Sequence, residues 1–159
     1  MFAIPKKLIA SSALALFFIA SLGRDNELQS QPQGEFESKL QIVSAVKRKD
    51  MSALRALLEQ GADVNVPEGD GATALHWAAY WEDTESVEAL IDAGADVNIA
   101  NELGMTPLHM TCTNGNADLV EALLVAGANP NTALASGETA LMAASRAGSV
   151  EAVESLLRR

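Results

Sequence analysis

Along most of the chain, apolar positions return in paired short runs. One set reads "LRALL" from Leu54, "VEALI" from Val87, "VEALL" from Val120 and "VESLL" from Val153. A second set precedes the last three of these: "TALHWAA" from Thr73, "TPLHMTC" from Thr106 and "TALMAAS" from Thr139. Apolar residues three and four apart fall on one face of a helix, so the spacing predicts helix pairs. Punctuation lies where such helices should begin and end. Thr73, Thr106 and Thr139 stand just before helical runs, where a hydroxyl can accept from free backbone N–H groups. Pro107 takes a first helical position, where its missing donor costs nothing. Gly61, Gly94 and Gly127 follow the second runs, where a left-handed residue is wanted. Small residues alternate with Leu75, Leu108 and Leu141, so neighbouring helices can approach closely.

The pattern is a repeat. "GADVN" at Gly61 and Gly94 and "GANPN" at Gly127 step by 33 residues, and both apolar sets keep that step without an insertion. With T-x-L-H at its head, the unit resembles the ankyrin repeat, over residues 38–159. The resemblance implies an all-α repeat solenoid, with a β-turn and two antiparallel helices per unit. Its boundaries would be a capping repeat at about 38–70 and repeats at about 71–103, 104–136 and 137–159. It also implies a non-enzymatic protein–protein interaction module that uses its concave groove and turn tips. On the same grounds Thr73, His76, Thr106, His109, Gly94 and Gly127 are structural, the imidazoles bonding backbone between adjacent units. The chain departs from the pattern in its first unit, which lacks T-x-L-H and is basic on its first helix. It also departs at Lys49 and Glu82, where Gly115 and Gly148 stand in later units. A side chain there must either accept left-handed backbone at about 1 kcal/mol or shift the turn.

Before the repeats, Lys6 and Lys7 are followed by 15 uncharged residues from Leu8 to Leu22. That run fits the apolar core of a secretory signal and falls short of the roughly 20 residues of a comfortable membrane span. Residues 1–23 are therefore expected to be a signal peptide, with Ser21 and Gly23 as the small residues before a cut at Arg24. An N-terminal anchor is the alternative, and it would make the chain a membrane-tethered adaptor. Either reading exports the repeats, to a periplasmic or secreted location. Residues 24–37 read as a flexible linker.

Composition narrows the chemistry. Of 159 residues 48% are hydrophobic and only 4% aromatic, so alanine and leucine must build the core. The net charge of −10 argues against nucleic acid, because phosphate binding needs a basic surface. Charge is also segregated: residues 60–145 hold thirteen Asp or Glu and no Lys or Arg. Unpaired carboxylates repel one another, which favours a protein partner with a basic surface. An acidic protein that simply binds cations is the less favoured alternative. The lone Cys112 sits in an alanine slot and is expected to be a buried small hydrophobe.

The stretch "ALHWAAYWED", residues 74–83, gathers one histidine, both tryptophans and the only tyrosine. A catalytic histidine would need a nucleophile or a base partner, and the third repeat puts Met142 in its place. No catalytic, cofactor or metal residue is therefore assigned. Trp77 shares its column with Met110 and Ala143 and is expected in the core. The columns of Tyr80 and Trp81 vary as a surface does, and large aromatics there suit a contact anchor. With the turn tips they give the expected partner-binding set: Asp70, Tyr80, Trp81, Glu102, Leu103, Met105, Asn114, Glu138 and Arg146.

Overall fold

The computed structural model describes residues 40–159; the expected signal, the linker and the first residues of the capping unit lie outside them. Eight helices fill the described residues. They are α1 (Gln41–Lys47), α2 (Met51–Glu59), α3 (Ala74–Tyr80), α4 (Thr84–Asp92), α5 (Pro107–Asn114), α6 (Ala117–Val125), α7 (Ala140–Ala147) and α8 (Val150–Leu157). Among these residues the only β pairing is an isolated bridge between Ala133 and Thr139. The first helices α1, α3, α5 and α7 touch in succession, and α2, α4, α6 and α8 form a second row. This is the all-α repeat solenoid that the resemblance implies.

The local chemistry explains why the chain breaks where it does. Thr106 accepts from the backbone N–H of His109, and Thr139 from that of Met142. Each second helix has its own acceptor cap: Asp50, Asp83, Asn116 and Ser149. Such caps satisfy the donors that a helix N-terminus leaves free. Gly94 and Gly127 take φ of +87° and +93° just beyond α4 and α6. Between repeats, fingers fold back through paired bonds, as where Glu68 N–H donates to the Ala72 carbonyl at 2.8 Å. The core runs between the rows, with Ile42, Leu54, Leu75, Leu90, Leu108, Leu119 and Leu123 fully buried.

One ladder crosses the repeats on the far side. Asn65 donates to the Gly94 carbonyl at 3.4 Å and accepts from Asp96 N–H at 2.8 Å. Asn98 repeats the pattern with Gly127 at 3.1 Å and Asn129 at 2.8 Å. The last residue of each "GADVN" thus ties its unit to the next, a role that the motif's spacing alone does not reveal.

Lys49 and Glu82 keep the turn rather than shift it, both at φ +54°. A Cβ is strained there, and glycine relieves it at some cost in unfolded-chain entropy. Glu82→Gly is therefore expected to raise stability by about 0.5–1 kcal/mol, read as a higher urea midpoint at unchanged slope.

Candidate functional site

Between the second and third repeats lies a groove of about 530 Å³. Trp77, Met105 and Met110 line its middle, Asp70 and Leu103 its fingertip end, and Tyr80, Trp81 and Asn114 its helix end. The lining is almost wholly apolar.

The aromatics are held at fixed angles. Trp77 and Tyr80 meet edge to face with centroids 6.0 Å apart, and Tyr80 meets Trp81 the same way at 4.8 Å. Trp77 Nε1 donates to Glu68 Oε2 at 2.7 Å, while Lys47 Nζ pairs with Glu68 Oε1 at 2.7 Å and lies 4.1 Å from the Trp77 ring centroid. Lys49 Nζ stands 5.6 Å from the Trp81 ring centroid. Both lysines belong to the first unit, so cation–π contacts fasten it to the second. Tyr80 and Trp81 nonetheless remain 52% and 44% exposed, which is unusual for side chains of this size.

Of the nine expected partner-binding residues, the structure gathers Asp70, Tyr80, Trp81, Leu103, Met105 and Asn114 around this one groove. Leu103 is 68% exposed at its tip. Asn114 also reaches back, its side-chain amide donating to the Tyr80 carbonyl at 3.2 Å. Glu102 is exposed on the adjoining tip, and its N–H donates to the Asp70 carbonyl at 2.9 Å. Glu138 and Arg146 lie outside the groove lining and form an ion pair with each other.

Two expectations need correction. Trp77 is not wholly a core residue: it packs against the core but is half-buried and lines the groove, where Glu68 and Lys47 hold its ring at the surface edge. Nor are the thirteen carboxylates of residues 60–145 all unpaired. Glu68 pairs with Lys47, Glu85 with Arg55 at 2.5 Å, Glu121 with Arg159 at 3.1 Å, and Glu138 with Arg146. Nine remain without an ion pair among the described residues. Trp77, Met110, Asn101 and Thr113 also line the groove and were outside the expected set; the column of Trp77 and Met110 reads as core, which hid both.

The histidines are set into the backbone. His76 Nδ1 faces Thr73 N–H at 3.1 Å and its hydroxyl at 2.9 Å, while Nε2 bonds the Met105 carbonyl at 3.0 Å. Burial pulls its pKa below the usual histidine value, against the opposing pull of the Met105 carbonyl and Asp70. His109 makes the corresponding contacts with Thr106 through Nδ1, but its buried Nε2 has no acceptor in hydrogen-bonding geometry. Burial lowers its pKa too, with the Thr132 backbone opposing. Cys112 is fully buried, and burial pushes its thiol up to about 12, where it is inert as a nucleophile at neutral pH. Among the described residues no group of three or more His, Cys, Asp and Glu converges to hold a metal ion.

Residues 86–159 match a family model described as Ankyrin repeats (3 copies), and residues 42–91 match one described as Ankyrin repeats (many copies). No curated protein matches the chain.

Proposed function

We propose that this chain, which belongs to the ankyrin-repeat family of protein-binding modules, captures a partner protein in the groove between its second and third repeats. The exposure of Tyr80 and Trp81 beside an apolar groove carries this reading. Burying such aromatics against a partner recovers their apolar area and completes contacts that solvent now occupies. Carboxylates without ion pairs favour a partner with a basic surface, which would be steered in from solution.

The test is capture from an extract by the full chain and by Tyr80→Ala/Trp81→Ala. The double variant is expected to lose about 2 kcal/mol or more of binding, with melting lowered only slightly by the loss of the exposed Lys49–Trp81 contact. A variant that melts early would make these side chains supports of the fold, and undiminished capture would move the contact elsewhere.

We infer further that the module acts outside the cytoplasm. Lys6, Lys7 and the uncharged run Leu8–Leu22 support a secretory leader. Intact mass of the exported protein decides between a cleaved form and a membrane-tethered adaptor that retains residues 1–23. Among the described residues no helix is long and apolar enough to cross a membrane.

A further inference from the structure

We propose that the groove takes a short extended peptide with a basic side chain at its fingertip end and apolar side chains along the rest. The inference rests on the protein-capture reading and adds the chemistry and direction of the ligand. Three features of the groove converge on it.

Length comes first. The groove runs beside α3, whose seven residues from Ala74 to Tyr80 rise about 10 Å in all. An extended chain advances about 3.3 Å per residue, so about three residues run alongside α3, and a five-residue peptide has one more at each end, towards the finger and towards Trp81. A volume of about 530 Å³ suits a few side chains rather than the flank of a folded domain.

Polarity along the groove comes second. At the fingertip end, Asp70 and Glu102 stand on neighbouring tips joined by a backbone bond of 2.9 Å. Neither carboxylate has an ion pair among the described residues. Asp70 Oδ1 accepts from Ala72 N–H at 3.0 Å, and Oδ2 is left for a second donor. At the opposite end Lys49 lies over Trp81 and offsets Glu82, which lines the surface there with Tyr80, Trp81 and Asn114, whereas the fingertip end carries carboxylates alone. Charge thus favours the fingertip end for a basic group. Arginine suits this end best, since its planar fork can donate to the Asp70 carboxylate while its charge is also drawn by Glu102 on the adjoining tip.

The middle supplies the third feature. Met105, Met110 and the Trp77 face offer an apolar floor, and thioethers adapt to side chains of differing shape. Side chains of an extended peptide alternate, so the first, third and fifth would face the groove.

The probe is a fluorescein-labelled peptide Arg-Ser-Leu-Ser-Phe, with Glu-Ser-Leu-Ser-Phe and Arg-Ser-Ser-Ser-Phe as controls, titrated into the full chain by anisotropy. The arginine peptide is expected to bind roughly ten-fold more tightly than the glutamate peptide, and the difference should shrink as salt rises. Replacing its leucine with serine should weaken binding by a similar factor. Asp70→Asn/Glu102→Gln should erase the arginine preference while the apolar preference stays. The amide that replaces the Asp70 carboxylate retains an oxygen for Ala72 N–H, and circular dichroism verifies the fold.

Equal binding of the arginine and glutamate peptides overturns the proposal, as does a preference that survives Asp70→Asn/Glu102→Gln. If no peptide binds while capture of a whole protein still requires Tyr80 and Trp81, the peptide inference falls and the capture reading stands. If capture is indifferent to those aromatics, the capture reading falls with it.

Discussion

Leu90→Ala is expected to destabilise the repeat stack by about 2–5 kcal/mol, the largest loss from any substitution considered. Leu90 is fully buried on α4, a helix that packs on α3 of its own unit and on the second-row helices α2 and α6. Truncation removes apolar contact and leaves a cavity in a close-packed core. Stability in a stacked array is held by each unit and its interfaces with its neighbours. The loss therefore falls at the second unit and at both of its interfaces. Urea unfolding should show a lower midpoint, and a shallower or biphasic transition if the first unit separates from the third and fourth. Leu157→Ala provides the control. Leu157 holds the same slot as Leu124, but it is 69% exposed where Leu124 is 4% exposed, and its loss should stay within about 0.5 kcal/mol. Similar losses for Leu90 and Leu157 would mean that burial does not set the cost.

How much of this was readable beforehand depends on the distance over which residues act. Helix pairs, caps and left-handed glycines are local matters, and a step of 33 residues repeated by several motifs fixed them. Comparing columns also sorted Tyr80 and Trp81 to the surface, because Thr113, Asn114, Arg146 and Ala147 vary as solvent-facing residues do. The same comparison misplaced Trp77. Ala143 in its column is buried, but an alanine is small enough to be covered where a tryptophan protrudes. What determines the Trp77 ring is Glu68 and Lys47, from the preceding unit, which no column contains. The charge map failed for a related reason. Lys47–Glu68, Arg55–Glu85 and Arg159–Glu121 join residues 21, 30 and 38 apart, so cations from both flanks pair with part of the acidic middle. A count along the sequence sees segregation where the fold brings the charges together. Six of the groove's lining residues were legible one by one, but Trp77 and Met110 were not, nor was the single volume, since Met105 and Met110 enter it from a finger and a helix of the next unit.

His76→Leu should cost about 2–3 kcal/mol at neutral pH, more than the same change at His109. The two imidazoles share a slot and a Thr partner but differ at Nε2. For His76 to donate from Nε2 to the Met105 carbonyl, its neutral ring must carry the proton there and accept at Nδ1 from Thr73 N–H. Leucine fills the space yet strands the buried Thr73 donor and cuts the side-chain bond from the second unit to the third finger. Met105 O keeps its bond from Asn101 N–H, which limits the loss. His109 Nε2 has only the pull of the Thr132 backbone, with no partner in good hydrogen-bonding geometry, and so less to lose. The pH dependence has a defined sign. Burial holds both folded-state values below the unfolded value of 6.5, so the unfolded chain binds protons first. Their contribution is therefore complete above about pH 6.5 and is lost as the pH falls through the folded-state values. Urea midpoints at pH 7.5 and 5.5 should differ less in His76→Leu than in the unaltered chain, because one proton-sensitive group has gone. Equal costs for His76→Leu and His109→Leu would mean that the Nε2 bond to Met105 contributes nothing, and an unchanged pH difference would assign the acid sensitivity to other groups.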